Sequence, residues 1–321
     1  MNAASRDLPS GFRRPSLLIV GCGDIGLRVA RLLRGRWRLL ALTSSPARCA
    51  ELRAAGVVPL LGNLDLPATL GRLAGLSHAV LHLAPPPAQG TTDVRTANLI
   101  ATLARRPHKL HTGCLVYAST SGVYGDCGGA RFDETRGVNP ATDRGRRRVD
   151  AETRLRAFGL AFGVRVALLR VPGIYALDRA GGDPRERVAR GSPVLADGDD
   201  VFTNHIHADD LARACVAALQ RSLPQRVVHV CDDTELKMGA YFDVVADRFG
   251  LPRPPRLTRK QAVAVLPAMQ LSFMGESRRL DNTRLKCELG LRLRYPTIEE
   301  GLRVARSAPT PDVSTPHLST R

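Results

Sequence analysis

Residues 17–33, LLIVGCGDIGLRVARLL, constrain the fold of this chain more than any other stretch. Residues 16–20 are an apolar run behind one serine, short and β-branched enough for a buried parallel strand. Gly21, Gly23 and Gly26 then follow in the spacing G-x-G-x-x-G, and Ile25, Val29, Leu32 and Leu33 continue with helical spacing. Strand, glycine turn and helix in that order form a dinucleotide cradle. The glycines allow a tight turn and a close backbone approach to a pyrophosphate, and the helix aims its first N–H groups at the phosphates. An ordinary strand-to-helix turn is the alternative; the apolar strand before the glycines and the helix after them favour the cradle. The expected contacts here are Gly21, Gly23, Asp24, Ile25 and Gly26.

The end of the second strand, 38–42, decides between dinucleotides. An acid there suits the ribose 2′-OH of NAD, whereas a cation and no acid suit the 2′-phosphate of NADP. Thr43, Ser44, Ser45 and Arg48 follow, with no acid before Glu51. NADP is therefore preferred to NAD, against the alternative that Arg48 is a solvated helix residue. Further strands are expected at 57–60, 79–83, 113–119, 164–170 and 226–231, with helices at 46–55, 67–75, 92–105, 209–219 and 238–249. The loop carrying Asn63 and Leu64, and Leu83, Ala84 and Pro85 after the fourth strand, fall at strand carboxyl ends, where such sheets bind ligands. The fold class is α/β, a Rossmann-type doubly wound parallel sheet with a smaller C-terminal substrate lobe. The expected organisation is a tail at 1–14, a dinucleotide domain at 15–171, a smaller lobe within 172–306, and a second tail at 307–321. Both tails are expected to be disordered.

Composition removes several function classes. No apolar run reaches the ~18 residues a bilayer span needs, and nothing before Leu17 resembles a signal sequence, so a cytoplasmic protein without a membrane partner is expected. Seven scattered cysteines without a C-x-x-C pair read as free thiols, mostly buried, and not as a metal or redox motif. The formal net charge of +17 would permit nucleic-acid binding. Yet only Lys109, Lys237, Lys260 and Lys286 are lysines, and the arginines are spread along helices without interleaved aromatics. A nucleic-acid partner is disfavoured.

The motifs GCGDIG, YASTSGVYG at 117–125, LLRVPGIYA at 168–176 and NHIHADDLARA at 204–214 occur in this order. Together they resemble the short-chain dehydrogenase/reductase superfamily, of the extended kind represented by NAD(P)-dependent sugar-nucleotide epimerases and dehydratases, over residues 16–304. The resemblance implies that 172–306 is mainly a substrate lobe whose 206–231 segment returns to the Rossmann domain, and that Thr120 hydrogen-bonds the reacting oxygen. It also implies a Tyr and a Lys four residues apart ahead of a helical glutamate. Counting back from Glu152, those positions hold Arg144 and Arg148, so the dyad is missing, as in some atypical members. Arginine stays protonated and cannot pass a proton as a phenol does. Arg148 could still bond a ribose. Arg144 could hold an anionic substrate group or lie on a solvated helix face; the crowding of Arg146, Arg147 and Arg154 favours the solvated face. The remaining proton donors are Tyr124 and Asp126 with Thr120, with structural packing as the alternative for Tyr124. The candidate catalytic set is thus Thr120, Tyr124 and Arg148.

Other residues carry weaker signals. His205 and His207 read as structural histidines, not metal ligands, and no metal is expected. Ser277, Arg278 and Arg279 suit a substrate diphosphate, although surface arginines are the preferred reading. The implied function is an oxidoreductase or epimerase-like protein acting on a sugar nucleotide or related small polar substrate, and the resemblance suggests a homodimer. The competing function is a non-catalytic NADP-binding sensor or partner-binding module.

Overall fold

The computed structural model describes residues 14–105 and 112–303. The tails expected at 1–14 and 307–321 lie outside the described residues, apart from Arg14. The central sheet has seven parallel strands: β1 (Ser16–Val20), β2 (Arg38–Thr43), β3 (Val58–Leu61), β4 (Ala79–His82), β5 (Cys114–Thr120), β6 (Arg165–Val171) and β7 (Arg226–His229). Their spatial order is β7-β6-β5-β4-β1-β2-β3. The order reverses between β1 and β4, where Val20 stands level with Leu42 on one side and His82 on the other. Such a switch point opens a crevice beyond the strand carboxyl ends.

The helices used below are α1 (Asp24–Leu33), α2 (Cys49–Ala54), α3 (Val94–Leu103), α4 (Asp143–Phe162), α5 (Pro184–Ala189), α6 (Ala208–Arg221) and α7 (Met238–Phe249). β1 is buried on both faces because each face meets a different apolar layer. Leu17 and Ile19 pack with Val29 and Leu33 of α1 and Leu211 and Cys215 of α6. Leu18 and Val20 pack with Leu99 and Leu103 of α3 and Leu155 and Phe158 of α4. A third buried cluster, including Val188, Val194, Met238, Tyr241, Phe242 and Met274, has its own core over the crevice.

Several expected boundaries shift for local reasons. Val57 is not in the third strand, because its amide bonds Leu52 O at 2.9 Å while Gly56 takes φ +78°, a glycine stop to α2. The stretch expected as a helix at 67–75 is a 3-10 turn over Pro67–Leu73. All seven cysteines are free, with five buried, Cys49 half-buried and Cys287 exposed.

Candidate functional site

The three motif glycines divide the work of a phosphate cradle. Gly21, at φ +86°, lies so close to the next strand's end that a Cβ would sit 2.5 Å from Ala84 N. Gly26 packs α1 onto β1, where a Cβ would meet Cys22 Sγ at 3.0 Å and Ile19 Cγ2 at 3.2 Å. At Gly23 a Cβ would meet nothing within 4 Å, so the backbone there opens onto a cavity of about 330 Å³. Gly21, Gly23, Asp24, Ile25, Gly26 and Leu83 all line that cavity. These three surroundings suit a tight turn, helix packing and a phosphate respectively. The residues fit a dinucleotide.

Asp24 places a carboxylate in the first turn of α1, a poor neighbour for a phosphate unless it is neutralised. Arg28 Nε donates to Asp24 Oδ1 at 3.0 Å, and the other edge of the buried Arg28 holds Asp209 at 2.5 Å and Asp178 at 2.6 Å. Arg179 pairs with Asp24 Oδ2 at 3.3 Å and itself lines the cavity. Sequence reasoning missed Arg179, since no spacing rule links the loop after Tyr175 to the glycine turn.

Beyond Gly23 the crevice continues into a second cavity, of about 470 Å³, at the ends of β2 and β3. Thr43, Ser44, Arg48, Asn63, Leu64, Ala84 and Pro85 line it. Arg48 donates to Cys22 O at 2.8 Å and to Glu51 at 3.1 Å, which holds its guanidinium over the cradle. Asp65, on the same cavity, is clasped by Arg95 through two bonds of 2.7 Å, and this hydrogen bonding keeps its carboxyl below the usual range. Arg95 was not among the expected residues.

A third cavity, of about 360 Å³, adjoins the cradle through Thr120, Arg148 and Pro172. Thr120 Oγ1 accepts from Gly122 N at 3.2 Å. Arg148 donates from Nη1 to Tyr117 OH at 2.9 Å and Ala118 O at 2.8 Å, which fixes one end of its guanidinium. Arg144 is half-buried, lies 4.2 Å over the Phe273 ring and lines this cavity. The expectation of a solvated face is corrected. Arg144 and Arg148 are i and i+4 on α4 and share a face, whereas Arg146 is exposed elsewhere and Arg147 is buried against Gly90 O. Arg278 is likewise no surface arginine: it lines the cavity, donating to Gly125 O and Glu276 at 2.7 Å each. Arg279 instead bonds Gly129 O at 2.9 Å and lies over Phe202.

A model of the NAD dependent epimerase/dehydratase family matches residues 17–231, which covers the cradle, Thr120, Arg144 and Arg148 of α4 and the return to the sheet. The chain belongs to this family. A functionally unknown conserved protein from Silicibacter pomeroyi superposes with a TM-score of 0.74 at 31% identity, over 89% of this chain and 96% of that one. UDP-glucose 4-epimerase from Thermotoga maritima, solved with UDP-glucose, superposes at 0.71 with 19% identity over 89% and 96%, and so shares the fold. A 3-diazoavenalumate denitrifying reductase from a Streptomyces species is 29% identical over 140 residues, 43% of this chain and 45% of that relative. The match therefore spans less than half of the reductase.

This epimerase/dehydratase family chain does not bring two of the expected proton donors to the cavities. Tyr124 is 1% exposed, and burial pushes its phenol up to about 12. Its hydroxyl accepts from Arg170 Nη1 at 2.6 Å and meets His229 Nε2 at 2.6 Å. The catalytic expectation for Tyr124 is corrected to a buried structural role. Asp126 is occupied by the amides of Ser277, at 2.8 Å, and Gly128, at 3.1 Å. His205 stacks on Tyr241 at 3.8 Å between ring centres and lines the third cavity, and burial lowers its imidazole to about 3. His207 caps α6 by accepting from Asp209 N at 3.2 Å. Among the described residues no group of three His, Cys, Asp or Glu could hold a metal, and no helix is long and apolar enough to cross a membrane.

Proposed function

We propose that this chain is an NADP-preferring oxidoreductase of the epimerase/dehydratase family acting on a small polar substrate, with residues 15–171 binding the dinucleotide. The lobe 172–306, apart from the returning 206–231, covers the substrate. The observation that carries this reading is that the glycine cradle and the third cavity share Thr120 and Arg148. In this reading Gly21, Gly23 and the first amides of α1 hold the pyrophosphate, and Thr43, Ser44 and Arg48 take the 2′-phosphate. Arg148 reaches the nicotinamide ribose, and Thr120 donates to the reacting oxygen. The nicotinamide supplies a hydride when bound; the protein positions the substrate and keeps the site dry. The exposed Leu160 and Phe162 of α4 give a second copy an apolar surface to cover in a homodimer.

Calorimetric titration with NADP and NAD tests the cofactor reading. NADP is expected to bind at least tenfold tighter, with the advantage lost in Arg48→Ala; equal affinities would refute the preference. Incubation with NADPH, nucleotide sugars and carbonyl compounds tests catalysis. One observation favours the second reading, a non-catalytic NADP sensor: arginines replace the expected phenol and lysine, and Tyr124 is buried elsewhere. A sensor would bind NADPH without turnover, and Thr120→Ala would leave it unaffected.

A further inference from the structure

The third cavity carries an imbalance of charge of which the oxidoreductase reading uses only Arg148. Four guanidiniums line it, from Arg144, Arg148, Arg187 and Arg278, against one carboxylate, Glu276. Glu276 is taken: it pairs with Arg278 at 2.7 Å, and both side chains are largely buried. Arg148 bonds only neutral acceptors. Arg187 has Pro193 O at 3.5 Å and Met238 Sδ at 3.8 Å, while its Nε is buried without a hydrogen bond. Among the described residues the Arg144 guanidinium has no hydrogen bond or ion pair; it lies over the ring of Phe273 and feels the Glu276 carboxylate, which Arg278 already holds, at longer range. Three half-buried cations thus face one cavity without a carboxylate of their own.

A fold tolerates uncompensated buried charge at a cost unless a counter-charge arrives. Two of these arginines are set up to receive one. Arg144 lies 4.2 Å over Phe273 and Arg187 lies 4.6 Å over Phe242, so one face of each guanidinium is covered by a ring, while the N–H groups of Arg144 and Nη1 of Arg187 are left for an anion. Burial lowers the pKa of both, the cost that a bound anion would relieve. Phe202, Phe242, Phe273 and Met238 give the wall an apolar part, beside the polar Ser121, Thr203, Asn204 and His205.

Resting on the oxidoreductase reading, we propose that the substrate is a small organic acid with an apolar face for the aromatic part of the wall, whose carboxylate is gripped by Arg144 and Arg187 while Arg148 and Thr120 face its reacting end. A phosphate shares the anionic chemistry, and the test separates the sources. NADP-saturated protein is titrated with benzoate, cinnamate and phenyl phosphate, with their neutral counterparts benzamide, cinnamamide and phenol, and with UDP-glucose. At least one of the two carboxylates is expected to bind, its amide at least tenfold more weakly, and Arg144→Met and Arg187→Met are each expected to weaken the acid about tenfold. Both variants should keep or raise the melting temperature, since each removes an unpaired charge, whereas Arg278→Met should lower it. Equal binding of acid and amide, no binding of either carboxylate, arginine-dependent binding of phenyl phosphate or UDP-glucose alone, or a lowered melting temperature in both Met variants would overturn the proposal. NADP titration of the same samples keeps the two readings apart. If NADP binds and the acids do not, only the acid site falls; if the acids bind through Arg144 and Arg187 to protein that ignores NADP, only the oxidoreductase reading falls.

Discussion

Tyr124→Phe separates a structural phenol from a catalytic one. His229 Nδ1 lies 2.9 Å from Asp281 O, a carbonyl that can only accept, so Nδ1 carries the proton and Nε2 is left to accept from the Tyr124 hydroxyl. That hydroxyl in turn accepts from Arg170 Nη1, and Arg170 holds Glu152 through bonds of 3.2 and 2.7 Å. Ser119 donates to the same carboxylate at 2.6 Å. Removing the oxygen orphans one buried acceptor, Nε2, and one buried donor, Arg170 Nη1, while the salt bridge to Glu152 survives. An unsatisfied buried group costs roughly 1–3 kcal/mol; with Arg170 still paired to Glu152, the two groups together are expected at the low end, about 2 kcal/mol. At roughly 2–4 °C per kcal/mol for a large domain, the melting temperature should fall by about 4–8 °C. Glu152→Gln should cost more, about 3–5 kcal/mol, because it leaves the Arg170 charge unpaired. Calorimetric melting and NADPH titration of the folded variant form the assay, with cofactor affinity expected within about twofold of the parent. An unchanged melting temperature, or a well-folded Tyr124→Phe protein that binds NADPH normally yet loses NADPH-dependent turnover more than about tenfold, would refute the structural assignment.

Three other outcomes follow from the same geometry. Gly23→Ala projects a methyl into the open cavity and should weaken NADP binding at least tenfold with little change in melting temperature. Gly26→Ala should instead cost about 1–3 kcal/mol of stability, since its methyl must displace Cys22 and Ile19; calorimetry on both variants reads the contrast. Burial lowers His82 and His205 to about 3 and His229 to about 4, against about 6.5 for an unfolded chain. The unfolded chain therefore takes up more protons below neutrality, so stability is intact above about pH 6.5 and is lost as pH falls toward the folded values, by about 2 kcal/mol per histidine at pH 5; a urea midpoint unchanged between pH 7 and pH 5 would contradict this. Arg28→Met leaves the carboxylates of Asp24, Asp178 and Asp209 facing one another and should cost about 3–5 kcal/mol while weakening NADP binding, as read by urea melts and calorimetric titration.

What could be read from the sequence was whatever is local. α7 begins at Met238 and ends before Gly250, as expected, because apolar spacing and a left-handed glycine stop are both written in neighbouring residues. The cradle was legible for the same reason: strand, glycines and helix lie within 17–33. Arg144 was misread by treating neighbours in sequence as neighbours in space. A helix turns about 100° per residue, so Arg146 and Arg147 say little about the face that Arg144 shares with Arg148, and that i, i+4 pair was the available signal. Nothing comparable existed for Arg187, which α5 carries across the crevice, or for Arg278, which arrives from the far end of the chain to meet Gly125. The charge excess shows the same division. Along the sequence the arginines are dispersed and look like solvated helix faces, and many are paired with acids, as Arg95 with Asp65 and Arg226 with Glu288. Only when the chain closes do three that lack such partners meet beside Thr120, so the positive charge that bears on the site comes from where acids are missing and not from where arginines are most frequent.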